Sequence, residues 1–366
     1  MVFLILLLKA DGPVTPASLF DLFAPRRLAR AAATFALGFT AAQSDLETFG
    51  STIQEVRDRG ALLCGVDTGL EGFAENRDGE DWVGFEVDLC RAYAAALLGD
   101  ERRVRFVPLT TEERFEALLD GRADILMRNT SWTFARDAEL PVTFAGTYYY
   151  DGQGFLAPAD LGVSSARELA GARICVQPAT THLLNLDDYA QTYDLSFEPV
   201  LVSTPSEGLA AYMEGRCDAF TSDVSALAGA RSQLDDPEQH VILPDIISKE
   251  PLGPVVASRD PRFAEAARWV LNALIAAEEY GVTAQNAAEL ASTSSSPEVR
   301  RLLGAEGAIG EALLLDSDFA LSAVTARGNY GEIFARHLGE GSALGLRRGL
   351  NAQWTQGGLL YAPPFR

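Results

Sequence analysis

The chain has 366 residues, 48% of them hydrophobic and 22% charged, which excludes an intrinsically disordered polymer and leaves room for two domains. Its formal charge is −21, and lysine occurs only at Lys9 and Lys249. A chain this acidic repels phosphate backbones and anionic lipid headgroups, so no nucleic-acid partner is expected.

In chain order, the first apolar run, VFLILLL (2–8), is too short to span a bilayer. An export signal follows it. Arg26, Arg27 and Arg30 form a positive n-region, AAATFALGF (31–39) an apolar h-region, and TAA (40–42) a small-residue cleavage site before Gln43. An ordinary amphipathic N-terminal helix is the alternative. The segment before Arg26 is not needed for export, which points to a start codon downstream of Met1. Removing residues 1–42 leaves 26 basic against 49 acidic residues, a charge of −23.

ALLCGVD (61–67) reads as a strand followed by a Gly-rich loop, GLEGF. WVGFEVDLCRAYAAALLG (82–99) reads as a short strand leading into a helix, and RVRFVPL (103–109) as a period-two strand. TEERFEALLDG (111–121) predicts a helix with Thr111 as N-cap and Gly121 as stop. The strand ADILMRN runs on into the polar stretch RNTSWTFARD (128–137). This β-α-β-α-β order predicts a parallel sheet covered by helices.

The order then restarts. SARELAGARICVQ (165–177) predicts a helix and a strand, TTHLLNLDDYAQTY (180–193) a helix, and SFEPVLV a strand. PSEGLAAYMEGRCDAFTSD (205–223) gives a helix and a strand with a polar end. FEALLDGRADILMRNT and GLAAYMEGRCDAFTSD echo each other: helix, Gly-Arg-x-Asp, then a strand ending in polar residues. Two similar α/β lobes explain the echo; a single doubly wound sheet is the alternative. TYYYDGQGFLA (147–157) and SKEPLGPVVAS (248–258) are extended enough to link the lobes, and the second precedes an amphipathic helix, RFAEAARWVLNALIAAEEYGV (262–282). The expected division is lobe 1 at 43–152, lobe 2 at 153–252 and a return to lobe 1 at 253–281. Residues 282–366 form a C-terminal extension packing on lobe 1.

Cys64 ends a predicted strand and Cys90 lies in the next predicted helix. Cys175 and Cys217 hold similar places in the second unit. Four cysteines allow three pairings. Cys64–Cys90 and Cys175–Cys217 are the expected disulfides, with four buried thiols as the alternative. No spacing suggests zinc.

A cleft at the carboxyl ends of both sheets would gather Asn129, Thr130, Ser131 and Arg136 from lobe 1 and Thr180, Thr181 and Asp223 from lobe 2. An arginine fork, hydroxyls and helix N–H groups suit a carboxylate, and one aspartate suits an ammonium. A free amino acid carries both charges on one carbon, and burying it requires that each be paired. Read singly, Arg136 could instead pair with Asp137 or Asp124, and Asp223 could cap a helix.

From about Gly60 to Arg366 the chain resembles the periplasmic substrate-binding proteins of polar amino-acid ABC transporters, and among them the general L-amino-acid-binding type. The resemblance rests on LLCGVDTGLEGFA, WVGFEVDLCRAYAAALLGD, RNTSWTFARD, YYDGQGFLA, ICVQPATTHLLNL, GRCDAFTSD, IISKEPLGPVV, GNYGEIFARHLG and GLNAQWTQGGLLYAPPFR, taken in order. It implies a two-lobe, type II periplasmic-binding-protein-like α/β fold with two crossover hinge strands and a C-terminal helical extension. It implies that Arg136 grips the ligand α-carboxylate with Ser131 and Thr181, and that Asp223, with the region of Asn129, takes the ammonium. Asp67 and Leu70 would line the side-chain end, and an aliphatic Leu70 implies broad specificity. Phe73, Trp132 and Arg114 are further wall candidates. Arg128 is expected behind the site or at the surface, and His182 on a helix surface. Where the family has Gly-Thr-Thr-Thr-Glu, this chain has Ala179-Thr180-Thr181-His182-Leu183. The expected partners are an L-amino acid and inner-membrane ABC permease subunits with a separate ATPase, since the chain has no P-loop. No cofactor, a monomer and a periplasmic location are also expected. A periplasmic cyclohexadienyl (prephenate or arogenate) dehydratase on the same fold is the alternative, with Glu71 and Glu75 as the only nearby general acids.

Overall fold

A computed structural model describes residues 51–366 apart from Asp78 and Glu80. The expected export signal and residues 43–50 lie outside them. Chain order begins with α1 (Thr52–Arg59), β1 (Leu62–Val66), a small ribbon of β2 (Glu75–Asn76) and β3 (Trp82–Val83), and α2 (Phe85–Leu98). Then come β4 (Val104–Pro108), α3 (Arg114–Leu119), β5 (Ile125–Leu126), α4 (Phe134–Glu139) and β6 (Val142–Phe144). Apolar strands alternating with helices can bury both sheet faces only through parallel crossovers, and β1 runs parallel to both β4 and β5.

The chain leaves this sheet through β7 (Tyr149–Asp151) and enters the second through β8 (Gln153–Pro158). There follow β9 (Arg173–Val176), α5 (His182–Tyr193), β10 (Glu198–Leu201), α6 (Pro205–Met213), β11 (Ala219–Asp223), α7 (Val224–Ser232) and β12 (His240–Ile242). The helix expected near 165 is only a 3₁₀ turn, Ala166–Leu169. β13 (Glu250–Leu252) returns the chain, and β14 (Val255–Ala257) completes the first sheet. The sheet orders are β4-β1-β5-β14-β6 and β10-β9-β11-β8-β12. In each, three parallel strands are followed by two antiparallel pairings, so that the fourth strand, β14 or β8, runs against the other four. The sequence echo is therefore an echo of topology.

β7 and β13 pair antiparallel, Asp151 opposite Glu250 and Tyr149 opposite Leu252, and form the crossover between the two lobes. Gly253 follows directly. A Cβ there would lie 2.3 Å from the carbonyl oxygen of Gly146, so only glycine lets the returning strand pass this close.

α8 (Pro261–Glu279) buries its apolar face, including Phe263, Val270, Leu271 and Leu274, against lobe 1. Beyond it come α9 (Ala287–Thr293), α10 (Pro297–Leu302), α11 (Phe319–Arg327) and α12 (Tyr330–His337). Phe319, Tyr330 and Phe334 join the same core as Phe85 and Leu89 of α2. One buried carboxylate pins this packing: Asp88, in the first turn of α2, meets Arg327, Arg336 and His337. Cys64 is bonded to Cys90, β1 to α2, with Cα atoms 6.1 Å apart. Cys175 is bonded to Cys217 within lobe 2 at 5.5 Å.

Candidate functional site

The carboxyl ends of β1, β5, β9 and β11 face one cleft between the lobes, which is where open α/β sheets present side chains and helix starts. The cleft is drawn shut. Gln177 of lobe 2 donates from Nε2 to Thr111 Oγ1 of lobe 1 at 3.0 Å, and Gln233 donates to Glu71 at 3.1 Å. The remaining cavity is about 40 Å³, room for roughly three waters.

Three arginines stand on the lobe 1 side. Arg136, on α4, is placed by the Thr133 cap of that helix and donates to the Ser131 carbonyl at 2.8 Å. Among the described residues no carboxylate comes within ion-pair distance of it. Asp124 is taken by Arg59 and the Leu63 N–H. Burial pushes the Arg136 guanidinium down, while Glu250 and Asp223 across the cleft favour its charge. Arg128 is buried and fully engaged, with Asp67 at 2.7 Å, the Leu109 carbonyl at 3.0 Å and Thr111 Oγ1 at 3.1 Å. Arg114, at the start of α3, is the third. Ser131 Oγ makes no hydrogen bond among the described residues. Asn129 adopts a left-handed φ of 41° and donates its N–H to Glu86 at 2.6 Å.

The lobe 2 side is acidic. Asp223 ends β11 at the N-cap position of α7, but its side chain does not cap. Asp151 accepts the Ser225 N–H of that helix instead, at 3.3 Å. Asp223 is thus left facing the cleft, where Oδ1 meets His182 Nε2 at 2.9 Å. Burial, and then the Asp223 charge, push the Asp151 carboxyl up to about 8. Burial works against a charged imidazole, yet Asp223, with Glu250 and Asp151, raises His182 above its ordinary value. Thr180 donates to the Gln177 carbonyl and accepts the His182 N–H at the start of α5, while Thr181 donates to Glu250 at 3.0 Å.

A model of the bacterial extracellular solute-binding proteins, family 3, matches residues 62–340. The chain belongs to this family. It is 51% identical over 316 residues to the glutamate/glutamine/aspartate/asparagine-binding protein BztA of Rhodobacter capsulatus, covering 86% of this chain and 94% of that one. It is 46% identical over 337 residues to the general L-amino acid-binding periplasmic protein AapJ of Rhizobium johnstonii, covering 92% and 97%. Among solved structures, an ABC transporter periplasmic binding protein from Brucella ovis with glutathione bound is 49% identical. It superimposes with a TM-score of 0.84 over 87% of this chain and 100% of that one. The fold is the type II periplasmic-binding-protein-like fold of the family. No helix among the described residues is long and apolar enough to cross a membrane.

Within this solute-binding fold, Asp67, Leu70, Arg114, Asn129, Ser131, Arg136, Thr180, Thr181 and Asp223 all line the cleft. Two expected wall residues do not. Ser131 bridges Leu252 in extended backbone, so its neighbour Trp132 points the other way, 38% exposed and stacked on Phe144. Phe73 lies under its loop, fully buried against Phe85 and Tyr149. Thr130 is likewise turned inward, onto the Arg128 carbonyl.

His182, expected on a helix surface, is buried in the cleft because the first turn of α5 aims at Asp223. Arg128 is neither peripheral nor exposed. Asp67 has both oxygens occupied, by Arg128 and by the Gly69 N–H at 3.0 Å. Thr111 is not a helix cap: Thr110 and Glu113 cap each other, which frees the Thr111 hydroxyl for the cleft. Gln177 and Ser222, and the cleft position of Thr111, were not read from the sequence, although each lies at or just beyond the carboxyl end of a strand, the signal that located the others. Glu71 and Glu75, the general-acid candidates, turn to Gln233 and to the Gly72 N–H.

Ala179 adopts a left-handed φ of 59°. That conformation costs a residue with a Cβ about 1–2 kcal/mol, part of which glycine returns as unfolded-chain entropy. Ala179→Gly is expected to raise stability by up to about 1 kcal/mol in denaturant titrations; a loss would show that the loop is not strained.

Proposed function

We propose that this chain is an exported periplasmic receptor that captures an L-amino acid between its lobes and delivers it to an ABC transporter. The observation that carries this reading is the opposition, across one closed cleft, of Arg136 from lobe 1 and Asp223 from lobe 2. Arg136 takes the α-carboxylate with the Ser131 hydroxyl, and Asp223 takes the α-ammonium. Thr180, Thr181 and Asn129 complete the wall, with Leu70 near the side chain. Because the ligand touches both lobes, it binds the closed state better and shifts the hinge at β7 and β13 toward closure. The closed form docks, as a monomer, on inner-membrane permease subunits, and a separate ATPase supplies the energy. The general-acid candidates Glu71 and Glu75 are turned to Gln233 and to the Gly72 N–H, which supports a binding protein over a dehydratase that would use them.

Calorimetric titration with the twenty L-amino acids tests the reading. Binding is expected, with proton release. A ligand ammonium on Asp223 sets a cation beside the His182 imidazolium and lowers its pKa, so affinity rises with pH, by at most tenfold per unit, and levels off above the raised pKa of His182 in the free protein. Absence of heat with every amino acid, together with turnover of a cyclohexadienyl acid, would overturn it.

A further inference from the structure

The C-terminal extension reaches the hinge. A 3₁₀ turn, Gly349–Asn351, brings the Asn351 side chain to the backbone of Tyr150 in β7. Asn351 Oδ1 accepts the Tyr150 N–H at 2.7 Å, and its Nδ2 donates to the Tyr150 carbonyl at 3.0 Å. One amide thus satisfies both backbone groups of a hinge residue, as a neighbouring strand would. Asn351 is buried and is itself fixed to lobe 1. Arg348 Nε donates to the Asn351 carbonyl at 2.9 Å, and its two terminal nitrogens meet Glu278 of α8 at 2.9 and 3.0 Å. Just before β7, the Tyr330 hydroxyl of α12 donates to the Tyr148 carbonyl at 2.8 Å.

The other strand of the ribbon is held at the same level. Tyr150 stands opposite Pro251, whose carbonyl accepts the Trp132 N–H of the lobe 1 cleft loop at 2.8 Å. One residue nearer lobe 2 the attachments change over. Asp151 accepts the Ser225 N–H of α7. Its partner Glu250 accepts the Thr181 hydroxyl at 3.0 Å and the Asn185 amide of α5 at 2.7 Å. The Gly152 carbonyl accepts the Val224 N–H at 2.9 Å. Lobe 1 therefore holds both strands as far as Tyr150 and Pro251, and lobe 2 holds both from Asp151 and Glu250 onward. The backbone left to bend is the single step between these two pairs.

We infer that Asn351 makes the C-terminal extension a hinge clamp, which binds β7 to lobe 1 and confines lobe opening to the step between Tyr150–Pro251 and Asp151–Glu250. The inference takes the opening and closing of the lobes from the receptor reading and adds the part of the chain that governs them. Asn351 is a positioning residue, since it does not line the cleft. Without it, the bend spreads back through Tyr149, until the Tyr330 bond to Tyr148 stops it. The open form then gains orientations that closure must surrender, and this entropic cost lowers affinity. Because the clamp lies outside the cleft, the loss falls equally on every amino acid that binds.

The test is the spread of lobe–lobe distances in the ligand-free, full-length mature protein. Spin labels are carried at two exposed positions, Glu116→Cys on α3 and Ala210→Cys on α6. The backgrounds are otherwise wild type, Asn351→Ala and Arg301→Met. Arg301 ties the end of the extension down through the Phe365 carbonyl at 3.0 Å, so Arg301→Met loosens the extension and leaves the clamp. Asn351→Ala is expected to broaden the distance distribution. It is also expected to weaken every one of the twenty L-amino acids that binds by a common factor of about 3 to 10. Arg301→Met is expected to do neither. An Asn351→Ala distribution matching the wild type, or equal broadening in Arg301→Met, would overturn the inference. So would losses that differ widely between amino acids, by placing the effect in the cleft. If Asn351→Ala does not fold, amide exchange in the wild type decides: the Tyr150 N–H is expected to be protected without ligand, and free exchange there overturns the clamp. A wild type that binds none of the twenty amino acids removes the receptor reading, while the distance distributions still decide the clamp.

Discussion

Arg136→Ala is expected to weaken L-amino-acid binding by about 2–5 kcal/mol, roughly 30- to 5,000-fold, because it strands a ligand carboxylate inside a closed cleft. Asp223→Ala should cost a similar amount through the ammonium. The two should also separate from folding in opposite ways. Arg136 has no carboxylate partner among the described residues, so its removal relieves a desolvated charge, and the melting temperature should hold or rise. Asp223 supports His182, so its removal leaves a buried imidazole without its acceptor and should lower stability as well as affinity. Titration calorimetry paired with thermal melts checks both. Unchanged affinity in either variant would remove that residue from the site.

Asp88→Ala is expected to be the most damaging change for stability, at about 3–5 kcal/mol. Its carboxylate is completely buried and faces Arg327 and His337 at the ends of α11 and α12, together with Arg336 and Arg91. Removing it leaves those cations crowded with no counter-charge where the C-terminal helices meet α2. Burial alone would raise the Asp88 pKa, but His337, Arg327 and Arg336 outweigh it and hold the group below its ordinary value. A carboxyl depressed in the folded state contributes stability that is present above its unfolded pKa of about 3.9 and is lost as pH falls through the lower folded value. The clamp therefore survives mild acid. Denaturant titration and limited proteolysis of the 282–318 segment check this; a variant as stable and as protected as the wild type would show that apolar packing alone holds the extension.

Much of the architecture could be read before any coordinates. The repeat of helix, Gly-Arg-x-Asp and polar-ended strand anticipated two sheets of like topology, because period and turn chemistry are local properties. Strand-end position likewise located most of the cleft, since carboxyl ends of parallel strands converge whatever the side chains are. Direction was harder. Ser131 and Trp132 are adjacent, and only the bridge to Leu252 decides which of them faces the cleft. Likewise the stop near Gly121 was visible, but the choice of Thr110 over Thr111 as the cap was not.

What the chain determined by itself was the kind of element at most positions and the strand ends that supply most of the cleft. What only the tertiary structure decided was which of those residues are already paired. Arg128 is expected behind the site and Arg114 on its wall, yet Asp67 neutralises Arg128 and no carboxylate among the described residues comes within ion-pair distance of Arg114. His182 and Asp223 lie 41 residues apart and meet at 2.9 Å. Such pairings depend on distance and burial between remote segments, and a one-dimensional pattern carries neither.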